Sequence, residues 1–448
     1  MRNFKAQKIM QLLLTTNCII DCMNTIAPRT LKGFRDFLPS DMRIRTKVIE
    51  IFKTVFEKYG YEPLETPTLE YADILLGKYG DEAEKLLYHF TDRGGREVAM
   101  KYDLTVPACR VLAQYQNDIP LPFKRYQIQP VWRADNTQKG RFRELYQCDA
   151  DTFGSSSVLS DAEYIQMGLE ALQKMGFTGI VARISNRKFI DGLVLYAGAS
   201  QAQFSIICTA IDKLDKIGIE GVQKEMKNKE ISEESINKIT EIISIQGSTQ
   251  DKIAKLRVVM KGIEQAELGL SELEEMFAYL KTAQVNPEMY IFDLAIVRGL
   301  SYYTGPVWEF MIKDGDVGSV GGGGRYDKLV GLYLGKDVPA TGGSFGIERI
   351  IEIVKDRKMF PSENINSVLV TIFDPSLTKN SLALAQKLRS EGKSVILYPD
   401  ALIKLEKQLK YANKKGIEEV YILGPEEVAH NQVKIKNMKT GNQTTVNF

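Results

Sequence analysis

At 448 residues the chain is long enough for two or three domains, each able to bury its own core. It is 44% hydrophobic and 26% charged with a net charge of +2, an ordinary soluble composition that excludes a uniformly basic nucleic-acid binder. Two histidines and five scattered cysteines without a CxxC pair argue against a histidine-based metal site, a metal held by cysteines or a Ser-His-Asp triad, and they suggest a reducing cytoplasm.

Residues 1–29 read as an N-terminal extension with a basic start and a short, interrupted apolar run, too short and too polar to span a bilayer. Two origins fit it. Translation could begin at Met23, leaving the first 22 residues outside the fold, or the segment could be a basic transit peptide. Leu31–Pro39 is a loop rich in turn residues, and Ser40 is placed to cap a helix. Ile44, Val48, Ile51, Phe52, Val55 and Phe56 recur at helical spacing, and Gly60 ends the run. The next stretch, YEPLETPTLEY, carries Pro63 and Pro67 and reads as an edge or bulged strand. VAMKYDLTV (98–106) alternates as a strand, which predicts Asp103 and Thr105 on one face. An acid beside a hydroxyl suits an amino group; a plain surface pair is the alternative.

Phe123 to Gly154 reads as two strands joined by a charged loop. Gln127, Gln129, Val131 and Arg133 share a face of the first. Arg141, Arg143, Leu145, Gln147, Asp149 and Asp151 share a face of the second. Arginines at the loop end and acids further in could hold an anion at one end and a cation at the other; a solvated polar face fits the same pattern. The fork of Arg133 suits a phosphate.

GIVARISN (179–186) is a strand, and residues 200–285 are mostly helical and highly charged. Ser232 is placed to cap a helix carrying Ile236, Ile239, Ile242 and Ile243, ended by Gly247. Ser271 and Glu274 form a capping-box pattern ahead of Leu273, Met276, Phe277 and Leu280. In RGLSYYTG (298–305), Gly299 lets the backbone approach a ligand beside Arg298, and Tyr302 and Tyr303 offer rings and hydroxyls. GGGGRYD (321–327) reads as a glycine run before a helix; it is neither a P-loop nor GxGxxG. TGGSFGIERI (341–350) is a glycine-rich strand entering a helix with Arg349 in its first turns. After a linker near 355–366, strands and helices alternate from VLVTIF (368–373) to a closing pair of strands, which predicts an α/β layer with a mostly parallel sheet. Residues 366–448 carry a mild local net charge of +4.

VWRADNTQKGRFRELYQ (131–147) resembles the second signature motif of class II aminoacyl-tRNA synthetases, in the form seen in histidyl-tRNA synthetases. The helix and proline-containing strand near 40–71 resemble the first motif, and TGGSFGIERI the third. DLT (103–105), RGLSYYTG and GGGGRYD resemble elements specific to the histidyl enzymes, and the last domain resembles the anticodon-binding domain of the histidyl, threonyl, prolyl and glycyl enzymes. The resemblance covers roughly residues 30–448.

The resemblance implies an α/β protein: an α+β catalytic domain on an antiparallel sheet (30–355) with a helical insertion (about 200–285), then an α/β anticodon-binding domain (366–448). It implies ATP-dependent ligation of L-histidine to tRNA(His) through a histidyl-adenylate, with magnesium on the ATP phosphates, in a cytoplasmic homodimer. Arg133 and Arg298 would be catalytic. Asp103, Leu104, Thr105, Arg133, Gln147, Asp151, Arg298, Tyr302, Tyr303 and Tyr326 would hold histidine. Arg133, Arg141 and Arg349 would hold ATP, and Gln138 would meet the tRNA acceptor end. The insertion would clasp tRNA; a purely structural subdomain is the alternative. Three positions depart from the family pattern: Asn136 stands where many bacterial relatives carry arginine, Asp135 where glutamate is usual, and Ser301 where an acidic residue is common. Two rival functions exist. A regulatory paralogue that binds histidine would usually lack the anticodon domain and degrade RGLxYYTG, and both are intact here. A non-catalytic tRNA-binding protein would not need Asp103, Gln147 and Asp151.

Overall fold

The computed structural model describes residues 27–77, 85–137, 142–297, 302–313, 318–360 and 367–447. The expectations for residues 1–22, Gln138, Arg141, Arg298, Gly299 and Ser301 lie outside the described residues. Two compact units follow one another along the chain, Met1–Arg357 and Lys358–Phe448.

In chain order the strands of the first unit are β1 (Glu62–Pro63), β2 (Leu69–Tyr71), β3 (His89–Thr91), β4 (Glu97–Met100), β5 (Phe123–Trp132), β6 (Glu144–Phe153), β7 (Ile180–Asn186), β8 (Tyr290–Phe292), β9 (Pro306–Ile312), β10 (Ser319–Arg325) and β11 (Ala340–Gly346). Eight of them form one sheet in the order β1-β5-β6-β11-β10-β9-β7-β8, and β2-β4-β3 form a small second sheet. The six central strands pair antiparallel, while the edge strands β1 and β8 run parallel to their neighbours. This is the antiparallel α+β core expected from the sequence.

Helix Pro39–Lys58 buries Val48, Phe52, Val55 and Phe56, the stripe that its apolar spacing predicts. Phe52 meets Phe345 of β11 at 4.7 Å between ring centroids. Tyr164, on helix Leu159–Lys174, packs on Trp308 of β9 at 5.2 Å. Between β7 and β8 the chain is helical, from Arg187–Tyr196 to Glu264–Thr282.

The second unit holds β12 (Ser367–Val370), β13 (Ser394–Leu397), β14 (Glu419–Ile422), β15 (Gln432–Asn437) and β16 (Gln443–Asn447), ordered β13-β12-β14-β15-β16. The first three are parallel and the last two join antiparallel. Neighbouring residues alternate between two cores, as a strand requires. Val368 and Val370 pack with Leu384 and Leu388 of one helix, while Leu369 packs with Ala412 of another.

Local readings differ from the structure at four points. Helix Pro39–Lys58 begins one residue before Ser40 and has no side-chain cap; Pro39 opens it instead, with φ already preset for a helix. Ser271 lies inside helix Glu264–Thr282, where its hydroxyl donates to the Glu267 carbonyl at 2.9 Å. The capping box nearby is formed by Ser248 and Asp251, ahead of helix Thr249–Val259. The strand expected over 98–106 stops at Met100, because Asp103 Oδ1 accepts the Val106 N–H at 3.1 Å and a helix, Thr105–Gln114, starts there. The four glycines are strand β10 itself. A Cβ on Gly323 would stand 2.2 Å from the Gly342 carbonyl of β11, so only glycine lets these two strands meet.

Candidate active site

A cavity of about 630 Å³ opens over the large sheet. Its walls come from the loop end of β5 and β6 (Arg133, Gln147), from β9 (Trp308, Glu309), from the glycines of β10, and from Ser344 and Arg349. The glycines of β10 make one wall bare backbone, against which a flat group can lie.

Arg133 follows directly on β5. Its backbone N–H donates to the Arg143 carbonyl at 2.9 Å, closing the ladder. Its Nε donates to the Tyr102 carbonyl at 3.0 Å, and its guanidinium lies 4.3 Å from the centre of the Tyr102 ring. That grip aims the guanidinium; its terminal nitrogens form the fork that a phosphate or carboxylate takes. Arg349 sits in the first turn of helix Ile347–Asp356 and donates from Nη1 to the Ser319 carbonyl at 2.7 Å, tying it to the start of β10. The helix is itself pinned. Glu348 accepts from Arg45 at 2.7 and 2.8 Å and from Arg35 at 2.6 Å.

Further along β6 the face turns acidic. Asp151 and Arg125 of β5 form a buried ion pair at 2.6 Å, and the Tyr326 hydroxyl donates to the other oxygen of Asp151. Asp149 is fully buried, and burial pushes its carboxyl up to about 7 while Arg125 pulls the other way. Burial raises Asp151 as well, again opposed by Arg125. The Tyr302 phenol is raised well above its ordinary value by burial, then by Tyr303, Asp103, Asp151 and Asp149. Tyr302 stacks edge-on to Tyr303 at 5.0 Å and to Tyr326 at 5.9 Å. Arg325, next to Tyr326, reaches away from this cluster to Asp161 at 2.5 Å and to the Ser155 and Ser157 carbonyls, anchoring the end of β10.

The residues singled out in the sequence fall into two adjoining groups. Arg133, Gln147, Tyr303 and Arg349 line the cavity. Asp103, Asp151, Tyr302 and Tyr326 meet in the acidic, aromatic cluster beside it. Asp103 and Thr105 do not share a strand face: Asp103 caps the helix whose first residue is Thr105. The Leu104 side chain is wholly buried, and its carbonyl accepts from Arg125 at 3.3 Å. Gln138, Arg141 and Arg298 lie outside the described residues. Sequence reasoning passed over Arg125, Asp149 and Ser344 as site residues. The signal for Arg125 was present, since it stands two residues before Gln127 on the face already marked as polar.

A family model described as Histidyl-tRNA synthetase matches residues 33–350, and one described as Anticodon binding domain matches residues 367–448. The chain belongs to the histidyl-tRNA synthetase family. The histidine–tRNA ligase of Christiangramia forsetii is 38% identical over 447 residues, covering 94% of this chain and 97% of its own length. That of Gloeobacter violaceus is 39% identical, covering 93% of this chain and 96% of its own. The crystal structure of histidyl-tRNA synthetase from a Nostoc species matches with a TM-score of 0.83 at 32% identity, covering 94% of this chain and 97% of that one. The antiparallel sheet described above is the class II fold of this family. The class II synthetase family uses ATP as a substrate.

Proposed function

We propose that the chain ligates L-histidine to tRNA(His) with ATP. The observation that carries this reading is the junction of two sites on one sheet. One is a cavity with Arg133 and Arg349 at its walls. The other is the acidic, aromatic cluster of Tyr302, Tyr303 and the buried Asp151 and Tyr326 beside it.

In the first step a histidine carboxylate oxygen bonds to the α-phosphorus of ATP. The bond from that phosphorus to the bridging oxygen breaks, and pyrophosphate leaves with the electron pair. In the second, a terminal ribose hydroxyl of the tRNA attacks the activated carbonyl, the bond from that carbonyl carbon to the phosphate oxygen breaks, the hydroxyl proton passes to the departing phosphate, and AMP leaves. Neither step demands a protein base; the work is alignment and neutralisation of phosphate charge. Arg133 and Arg298 serve as catalytic groups, and Arg133, Arg141 and Arg349 hold ATP. Asp103, Leu104, Thr105, Gln147, Asp151, Tyr302, Tyr303 and Tyr326, with Arg133 and Arg298, hold histidine; Leu104 contributes through its backbone. Gln138 meets the acceptor end.

Among the described residues no cluster of three His, Cys, Asp or Glu could cage a metal ion. Glu309 and Asp135 bring oxygen donors to the cavity wall, the kind magnesium takes alongside substrate phosphates. Bound there with ATP, magnesium would neutralise phosphate charge.

Residues 30–355 act as the catalytic domain with its insertion at about 200–285, and residues 366–448 as the anticodon-binding domain. The protein works in the cytoplasm as a homodimer. The small sheet supports the dimer, since it exposes Leu69, Tyr71 and Phe90, large apolar side chains that a partner would cover. Among the described residues no helix is long and apolar enough to cross a membrane.

Histidine-dependent ATP–pyrophosphate exchange tests the reading. Exchange with histidine and with no other amino acid is expected. Histidine binding without exchange would overturn the catalytic assignment and favour a histidine-sensing regulatory protein.

A further inference from the structure

Gln147 of β6 and Ser344 of β11 are neighbours across the ladder, in which Ser344 stands opposite Asp149 and Gly346 opposite Gln147. Gln147 Nε2 donates to Ser344 Oγ at 3.2 Å. The Ser344 hydroxyl also hydrogen-bonds the Asp149 carboxyl. A hydroxyl has one hydrogen and two lone pairs. Once Asp149 is ionised, above about pH 7, it takes the Ser344 hydrogen, and Ser344 then faces Gln147 with lone pairs alone. Only the amide nitrogen can satisfy them, and a flipped amide would set oxygen against oxygen. The amide is thereby held one way round, with Oε1 turned away from Ser344. That oxygen is buried and has no hydrogen-bond partner among the described residues, although Gln147 lines the cavity. A buried acceptor without a donor is costly, and it marks where a donor belongs.

The chemistry of that donor follows from the charges around it. Asp149 and Asp151 share the strand face of Gln147, and Asp103 bears with them on the Tyr302 phenol. Arg125 is the cation paired among these acids. Among the described residues these three carboxyls outnumber the guanidinium paired within their cluster, which favours a cationic donor over a neutral one.

We propose that Ser344, held by Asp149, is a positioning residue that locks the Gln147 amide so that its oxygen accepts from the α-ammonium of the bound amino acid. The inference rests on the amino-acid pocket proposed above. Ser344 touches no reacting atom; it acts through Gln147.

The test measures binding by calorimetry for two ligands, L-histidine and 3-(imidazol-4-yl)propionate, which keeps the ring and carboxylate but lacks the ammonium. Wild type, Ser344→Ala and Ser344→Thr are compared, with Ser344→Cys in place of the alanine variant if that does not fold. Ser344→Ala is expected to weaken L-histidine by about 10-fold or more, the scale of one oriented hydrogen bond to a charged group, and to leave the analogue within about twofold. Ser344→Thr keeps the hydroxyl and is expected to restore L-histidine to within about threefold of wild type. In kinetics the KM for histidine rises and the KM for ATP stays. Equal weakening of both ligands, no weakening of either, or failure of a folded threonine variant to rescue would overturn the proposal. If wild type itself binds L-histidine no better than the analogue, the pocket reading fails instead.

Discussion

Arg125→Met removes a cation that, among the described residues, is paired within the acidic cluster, while keeping most of the side-chain volume. The Arg125 side chain is 0% exposed and that of Asp151 is 2% exposed, and they meet at 2.6 Å. Arg125 also donates to the Leu104 carbonyl at 3.3 Å and to Gln127 Oε1 at 3.4 Å. Removing it strands Asp151 without its partner and Asp149 without the charge that holds its carboxyl down. Breaking a buried pair from one side costs about 3–5 kcal/mol, because the remaining charge must be neutralised or left uncompensated. Against a typical total of about 5–15 kcal/mol, that is a large share. Urea unfolding followed by tryptophan fluorescence is suited to the measurement, since Trp132 and Trp308 both belong to the same sheet. The double variant Arg125→Met/Asp151→Asn should recover more than half of the loss, as the uncompensated charge is then gone. A single-variant cost below about 1 kcal/mol, or simple additivity in the double variant, would refute the claim that Arg125 holds this pocket together.

Three other outcomes are expected. Asp149 titrates at about 7 in the folded chain against an ordinary value of 3.8, raised chiefly by burial. Folding therefore retains its proton: the stability it contributes is complete below about pH 4 and lost as pH rises through about 7, on the order of 4 kcal/mol in all. Asp149→Asn should gain on wild type across that window, and a urea-midpoint difference unchanged between pH 4.5 and pH 8 would contradict this. Gly342→Ala would put a methyl 2.1 Å from Asp151 Oδ1 and 2.4 Å from the Ala150 carbonyl. Because β6 backbone cannot step aside, that variant should lose histidine affinity by at least about tenfold through a displaced Asp151; unchanged binding in a calorimeter would show that the strand yields. Arg298→Ala should fold normally and lose about 10²–10³ in kcat, as removal of one preorganised electrostatic donor does. A loss under about tenfold in pyrophosphate exchange would remove Arg298 from its assigned role.

Much of the site is legible in the order of the amino acids. Period-two spacing alone puts Gln147, Asp149 and Asp151 on one face of a strand, and β6 bears that out. The arginine at the start of the last sheet helix, Arg349, stands out from a glycine-rich strand running into an apolar helix. The ionic state of the acidic face is not legible. Whether Asp149 is charged depends on how deeply it is buried and how near Arg125 comes, and neither is a property of neighbours in sequence. Asp103 shows the same limit at short range. Alternation predicts a strand, but one hydrogen bond donated by the Val106 N–H to its carboxylate outweighs that propensity and begins a helix.

The amino-acid sequence by itself determined the long amphipathic helix and its glycine stop, the two antiparallel strands of the charged hairpin, the helical stretch between the two halves of the large sheet, and the alternating pattern of the last unit. Each of these is set by side-chain period and local turn chemistry, which act over a few residues. Only the tertiary structure decided that the four glycines of 321–324 are a central strand. Glycine has no strand preference of its own, and β10 forms because β9 and β11 close on it too tightly to admit a Cβ. The tertiary structure likewise decided that Arg125 serves the pocket, that Arg325 anchors the end of a strand, and that Ser344 faces Gln147. Those pairings join residues 26, 164 and 197 positions apart, and separations of that size are closed by packing rather than by pattern.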